Sequence, residues 1–351
     1  AALVFEATLL VTDFLPKKWL LTLLIGVFIA SAVLFIQLFF RNIKRKSRIV
    51  AVVISIMLSI VFVVTSVYAA KTASFLNKIS KAKSVGNTKI AEKPFTVLIS
   101  GMDTTGKIDE EARSDVNMLV TVDPQKHKIL LTSIPRDYLV KLPSKDNAED
   151  KLTHSGLYGI DETRGAIEKL LDVKIDYYVK VNYNTVVQFI NAIGGIYINS
   201  DHAFTTYIDH YRINKGTNFL KGEQALAFAR ERQAFKDGDN QRIKNQQKVL
   251  EEILKRGLKN RKILIKYTKV LDSLQPYFKT NLSSKELSNL IRLQLKYSLE
   301  GKGWTIEENS IEGFNAVKKT YSVSNTYVMT QNKKSINSAK KKIQKVFKDN
   351  E

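Results

Sequence analysis

Residues 176–199 read DYYVKVNYNTVVQFINAIGGIYIN, and the spacing of their apolar positions changes twice. DYYVKVNY (176–183) alternates aromatic and β-branched residues with polar ones, the period of two that a strand requires. NTVVQFINAI (184–193) shifts to three- and four-residue spacing, which predicts a helix. That helix is expected to open on Asn184 as its N-cap and to close on Gly194 and Gly195. GGIYIN (194–199) then returns to strand. A strand, a helix and a strand in one short stretch point to a layered α/β domain.

The flanking sequence repeats the alternation. FTVLIS (95–100), VNMLVTVD (116–123) and KILLTSIP (128–135) read as strands, the last two joined by PQKH. DETRGAIEKLLD (161–172), GEQALAFAR (222–230) and DNQRIKNQQKVLEEILKRGLKN (239–260) read as helices. Ser283 and Glu286 form a capping box before LSNLIRLQL. WTIEENSIE and TYVMT are further strands, and a lysine-rich helix with a solvated face starts near residue 333. The expectation is a central, mostly parallel or mixed sheet with helices on its faces.

With 351 residues, 44% of them hydrophobic, the chain can bury a full core in one or two domains. Its formal charge of +21 points to a polyanion, whether nucleic acid, anionic lipid or a phosphate-bearing polymer. The absence of cysteine excludes disulfides, thiolate metal sites and cysteine nucleophiles.

Residues 19–40 and 49–70 carry no charge, and each is long enough to span the roughly 30 Å of a bilayer's hydrocarbon core. Between them RNIKRKSR holds Arg41, Lys44, Arg45, Lys46 and Arg48, a loop that stays cytoplasmic. The reading is a multi-pass cell-membrane protein with a transmembrane hairpin over 19–70. Residues 1–18, with Glu6 and Asp13, are taken as the remnant of an earlier transmembrane helix. A linker over 71–94 leads to an extracytoplasmic domain over 95–351. That compartment argues against nucleic acid and ATP as partners. It also argues against reading GMDTTGK (101–107) as a P-loop, where Ile108 stands in place of the required Ser or Thr.

The charged residues that matter fall at strand ends. Asp103 follows the first strand, Arg113 and Asp115 precede the second, and Arg136 and Asp137 follow the third. Later, ALAFARERQAFKDGDNQRIKNQQ (225–247) sets Arg230, Arg232 and Arg242 around Asp237, Gly238 and Asp239. Carboxylates can hold Mg²⁺ while arginine forks grip phosphate oxygens, so the set suits a pyrophosphate or phosphodiester. The plainer alternative makes Arg136–Asp137 and Arg230–Glu231 surface ion pairs and Asp103 a turn residue. His154, in KLTHSG, reads as part of a structural turn rather than as a base.

The ordered blocks VLISGMDTT, RSDVNMLVTVDP, LLTSIPRD, KLTHSG, DYYVKVNY, AIGGIYI, LKGEQALAFARER and DGDNQRIKNQQ, over about 95–250, closely resemble the LytR-CpsA-Psr family. The resemblance implies an α/β/α sandwich with an apolar pocket for a polyprenyl tail. It implies a membrane-anchored phosphotransferase of Gram-positive envelopes. Such an enzyme moves a glycopolymer, capsular polysaccharide or teichoic acid, from polyprenyl pyrophosphate to a peptidoglycan hydroxyl. Capsule is preferred on likeness to streptococcal members. By motif, Asp103 and Asp115 match Mg²⁺-associated aspartates, with Mn²⁺ the alternative ion. Arg113, Arg136, Arg230, Arg232, Arg242 and Gln246 match pyrophosphate-contacting positions. Asp137 and Asp239 are the candidate general bases, with helix capping or arginine orientation as their blander roles. A non-catalytic carrier-binding protein, a pyrophosphatase and an envelope regulator remain the rival functions. Some streptococcal relatives insert an accessory domain after the membrane spans, and the interval from Lys71 to Lys93 is too short for one. Phe189, Ile193, Ile198 and Phe228 are candidates for the tail pocket, with ordinary core the stronger reading for each.

Overall fold

The computed structural model of the chain describes residues 90–102, 104, 108, 111–236, 238–259 and 277–348. The expected spans at 19–40 and 49–70, residues 1–18, most of the linker and Asp103 lie outside the described residues. No helix among the described residues is long and apolar enough to cross a membrane.

Six strands form the central sheet. They are β1 (Phe95–Met102), β2 (Ser114–Asp123), β3 (Lys128–Ile134), β6 (Tyr177–Asn182), β11 (Phe278–Thr280) and β12 (Thr305–Ser310), in the order β11-β6-β1-β2-β3-β12. Only β1–β6 and β3–β12 run parallel; β1–β2, β2–β3 and β6–β11 are antiparallel. The sheet is therefore mixed rather than mostly parallel. For β2 and β3 the cause is local, because they turn back on each other through a tight turn. There Asp123 Oδ1 accepts from the backbone N–H groups of Gln125 and Lys126 at 3.0 and 3.1 Å.

The pleat sends alternate side chains to opposite faces. Leu98, Leu119, Leu130 and Tyr178 pack on one side, against α2 (Ile160–Leu171) and α7 (Lys333–Lys348). Met118, Val120, Ile129, Leu131 and Tyr177 pack on the other, against α5 (Gly238–Lys259) and α6 (Ser284–Leu299). The result is a three-layer sandwich. Ile90, within the expected linker, is already buried in the second of these layers. The lysine-rich α7 buries Ile336, Ala339, Ile343 and Val346 and turns its lysines outward.

A third cluster sits beside the sheet, built by α3 (Tyr183–Ala192), β7 (Ile196–Ser200), β10 (Gly216–Leu220) and α4 (Gly222–Arg230). The N-cap of α3 is Asn182, not Asn184. Asn182 Oδ1 accepts from the Thr185 backbone N–H while the Thr185 hydroxyl accepts from the Asn182 N–H, a capping box that starts the helix directly from β6. At the other end Gly194 and Gly195 take φ of 84° and 96°, as expected of a helix stop. The Ser283–Glu286 capping box is present as read. The small pairs β4 (Leu139–Leu142) with β5 (Ala148–Lys151) and β8 (Phe204–Thr205) with β9 (Arg212–Ile213) had no clear period in sequence, while in the pair β13 (Gly313–Lys318) with β14 (Thr326–Gln331) the second strand is the one expected at TYVMT.

Candidate active site

The β1–β2 ladder brings Met102 opposite Ser114, and the β2–β3 ladder brings Asn117 opposite Ile134. The end of β1, the start of β2 and the end of β3 therefore share one rim of the sheet. The register shifts between Gly101 and Met102, and there Ser100, Ser114 and Asn117 form a buried polar network. Gly101 is required at this bend, since a Cβ there would lie 2.8 Å from the Cβ of Val116. The bend carries the chain out of the ladder just where Asp115 must face the rim.

A cavity of about 370 Å³ opens at this rim. Arg113, Asp115, Arg136, Arg230, Arg232, Arg242 and Gln246, drawn together by motif from four parts of the chain, all line it. The sheet supplies the first three, α4 and the turn after it supply Arg230 and Arg232, and α5 supplies Arg242 and Gln246. Five arginines face three carboxylates, so the cavity has a net positive lining.

Individual contacts fix this geometry. Arg136 Nη1 donates to Asp115 Oδ2 at 2.9 Å, and the Thr153 hydroxyl donates to Asp115 Oδ1 at 3.1 Å. Arg136 Nε also lies 3.5 Å from Asp137 Oδ2, while Lys151 Nζ donates to Asp137 Oδ1 at 2.9 Å. Asp137 is thus held between two cations and does not line the cavity, an arrangement that suits orienting Arg136 better than taking a proton. Arg230 lies over the Tyr183 ring, 4.4 Å from its centroid. Arg242 is buried, and the Asn245 amide on the same helix donates to the Phe228 carbonyl, tying α5 to α4.

Glu231 is not an ion-pair partner for Arg230 of the kind the plainer alternative supposed. Its carboxylate accepts from the backbone N–H groups of Tyr207, Gln233 and Ala234 at 2.6, 2.7 and 3.0 Å. It therefore joins the 206–209 loop to the turn that carries Arg232, and both line the mouth. Sequence reading missed the role of Glu231, and it missed Tyr183, Thr153 and that loop as parts of the site. Nothing in their own spacing singled them out. Asp239 belongs to the first turn of α5, but its side chain lies outside the described residues.

His154 falls in the one-turn helix α1 (Leu152–Ser155) and is not among the residues lining the cavity. Its Nδ1 is 2.8 Å from Asp150 Oδ1, and Ser322 hydrogen-bonds the other oxygen. Burial pushes the Asp150 carboxyl up, but the His154 and Ser322 hydrogen bonds outweigh it and hold it below the usual range. The structural role read for His154 is the one observed.

A second, apolar cavity adjoins the first. Val116, Tyr183, Arg230 and Gln246 line both, and beyond them it is walled by Met118, Val181, Val186, Leu226, Val249 and Ile253. Phe189, Ile193, Ile198 and Phe228 are not among its walls. They pack in the cluster of α3, β7, β10 and α4 as ordinary core.

Asp115 also suits a hard cation. Each of its oxygens accepts one hydrogen bond and keeps lone-pair capacity, and Mg²⁺ commonly binds through one or two carboxylates completed by phosphate oxygens and water. Among the described residues no group of three or more carboxylates or imidazoles could hold a metal without such help.

An arginine-walled cavity at a strand rim, sharing residues with an apolar one, defines an α/β protein with a cationic site beside a hydrophobic one. The comparisons specify the class. A sequence profile of the LytR_cpsA_psr family matches residues 60–345, and the chain belongs to that family. It is 33% identical to the polyisoprenyl-teichoic acid–peptidoglycan teichoic acid transferase TagU of Bacillus cereus, over 59% of this chain and 67% of that one. It is 34% identical to biofilm regulatory protein A of Streptococcus mutans, over 71% of this chain and 67% of that one. A solved structure of TagT bound to LIIa-WTA superposes with a TM-score of 0.58 at 27% identity, covering 75% of this chain and 94% of that one. The mixed α/β fold is that of the family, and the family is one of transferases.

Proposed function

We propose that the protein transfers a glycopolymer from a polyprenyl-pyrophosphate carrier to peptidoglycan, with Mg²⁺ at Asp115 and Asp103. The observation that carries this reading is the continuity of the two cavities through Tyr183, Arg230 and Gln246. One ligand with a doubly charged head and a long apolar tail accounts for both. Neither an inorganic anion nor a sugar phosphate would need the second cavity. The names of the relatives support the donor and the acceptor.

In this reading the arginines bind the pyrophosphate bidentately and neutralise charge as the bond to the carrier lengthens. A Mg²⁺ held by Asp115 would supply further neutralisation of the phosphate charge. An acceptor hydroxyl oxygen forms a bond to the glycopolymer's phosphorus. The bond from that phosphorus to the bridging oxygen breaks, and the bridging oxygen leaves with the electron pair as polyprenyl phosphate. A phosphate monoester has a second pKa near 6, so the departing group can take up the hydroxyl's proton itself. Loose phosphoryl-transfer transition states need alignment and charge stabilisation more than a strong base. That matches a site in which Asp115 and Glu231 are already engaged by hydrogen bonds and an ion pair.

Water in place of the acceptor would give a pyrophosphatase side activity. Capsular polysaccharide remains the preferred glycopolymer on likeness to streptococcal members, with teichoic acid the alternative. The test supplies purified full-length protein with a polyprenyl-pyrophosphate-linked glycan, uncrosslinked peptidoglycan and Mg²⁺, and follows polymer joined to the wall. Arg136→Ala is expected to lower the rate by about 10²–10³-fold, the scale of losing one transition-state donor. Binding of the carrier by wild type without joining or hydrolysis would leave a carrier-binding protein instead.

A further inference from the structure

A groove of about 920 Å³ runs along the far side of α5 from the apolar cavity. One wall is α5, where Ile243, Lys244, Gln247 and Lys248 follow directly on the Arg242 and Gln246 of the arginine cavity. The other is the end of β12 with the start of the β13–β14 hairpin. The two sites share a second boundary as well. Met329 lines the groove and its N–H donates to the Asp137 carbonyl at 2.8 Å, one residue from Arg136.

The order across the sheet is informative. Residues of β6, β1 and β2 line the apolar cavity, the start of β2 and the turn after β3 supply the arginine cavity, and β12 lines the groove. Tail site, charged site and groove thus follow one another in the order of the strands. A displacement in which entering and leaving oxygens lie roughly in line needs its two partners on opposite sides of the phosphorus.

The lining of the groove matches a sugar rather than a second polyanion. Lys244 and Lys248 oppose Glu308 and Glu312, so neither sign prevails. Asn309 and Asn315 bring carboxamides, which both donate and accept hydrogen bonds. Phe314 is 61% exposed at the edge, an apolar ring with nothing packed over most of its face. Sugars combine C–H faces with hydroxyl and acetamido groups, and they pair with such a mixture of ring and amide. The volume lies within the range of roughly 300–1,000 Å³ usual for ligand clefts.

We propose that this groove binds the acceptor glycan strand, with Phe314 stacking on a sugar ring and α5 aiming a hydroxyl past Arg242 at the phosphorus. The proposal rests on the transferase reading for its chemistry but not for its binding test. That test uses the full chain in detergent and a tetrasaccharide of alternating N-acetylglucosamine and N-acetylmuramic acid, titrated by calorimetry. The expected result is wild-type binding that weakens at least tenfold in Phe314→Ala and is restored in Phe314→Tyr, with no competition from inorganic pyrophosphate. In the joining assay Phe314→Ala should raise the acceptor KM by a similar factor and leave kcat near wild type.

Equal affinity in wild type and Phe314→Ala, or displacement of the tetrasaccharide by pyrophosphate, would overturn the proposal. If wild type joins polymer and Phe314→Ala does so with an unchanged acceptor KM, the groove assignment falls and the transferase stands. If wild type joins nothing yet binds the tetrasaccharide through Phe314, the transferase falls and the groove stands as a glycan-binding site.

Discussion

Glu231 shows how one side chain can organise a site without facing its ligand. It is buried, and its two oxygens accept three backbone N–H groups from the two segments that form the cavity mouth. Glu231→Ala would strand those donors, and a buried unsatisfied polar group costs about 1–3 kcal/mol. The local effect should exceed the global one, because the donors lie on surface loops. We expect Glu231→Ala to weaken carrier binding about tenfold or more, with Glu231→Gln intermediate because its amide keeps only one acceptor oxygen. Circular dichroism melting of the same variants is the control. A fall in melting temperature with unchanged carrier affinity would make Glu231 purely a stability residue. Asp137 makes the complementary point. Beside Arg136 in sequence it suggested a base, yet Lys151, fourteen positions on, binds it. No local pattern encodes a contact of that kind.

At the scale of elements, the α/β alternation, most of the strands and helices and the sandwich were legible in sequence. Each rests on a period of two or of three to four that survives in a single chain. A mixed sheet was among the forms expected, and it is the one found. Parallel or antiparallel pairing depends on whether a connection is a turn or a crossover, and the β2–β3 turn decided it. Of the hairpin β13–β14 only β14 was read, as TYVMT; β13 escaped because its residues are half-buried or exposed throughout, so no alternation marks it. The arginine set was legible through ordered motifs. The loop at 206–209 was not, since its role comes from a hydrogen bond to Glu231.

The packing of α5 on β12 carries its own prediction. Glu308 on the strand hydrogen-bonds the Glu251 carboxylate on the helix, and this, with some burial, raises its carboxyl to about 7 while Lys255 and Lys248 pull the other way. The folded value lies above the ordinary 4.5. Its contribution to stability is therefore complete below about pH 4.5 and is lost as pH rises through about 7. Glu251, held low by Glu308 and Lys255 against its own burial, works in the opposite sense only at more acidic pH. Glu308→Gln keeps a donor at every pH. It should melt with the wild type near pH 5 and above it near pH 8. Parallel melting curves across that range would show that the two carboxylates do not share a proton.

For the whole molecule, the decisive question is which side of the membrane the sandwich occupies. The proposed donor has a tail that must leave the bilayer and enter a cavity walled by Met118, Val186, Leu226, Val249 and Ile253. The proposed acceptor is outside the cell, so the arginine cavity must be outside too. The proposed topology rests on the cationic run at 41–48, which would stay cytoplasmic and put residues after about 71 on the extracytoplasmic side. Residues 95–351 hold 42 Lys and Arg against 31 Asp and Glu, and that excess would then serve to hold the domain near anionic wall polymers or lipid headgroups, an attraction that salt screens over roughly 10 Å. Because the chain has no cysteine, any introduced thiol is the only one present. We expect Lys318→Cys, exposed on β13, to react in intact cells with a membrane-impermeant maleimide. Arg45→Cys in the cationic loop should react only after the cells are opened. The reverse pattern would place the arginine cavity in the cytoplasm, away from wall and acceptor. The transferase proposal would then fail whatever the affinity of the site for pyrophosphate.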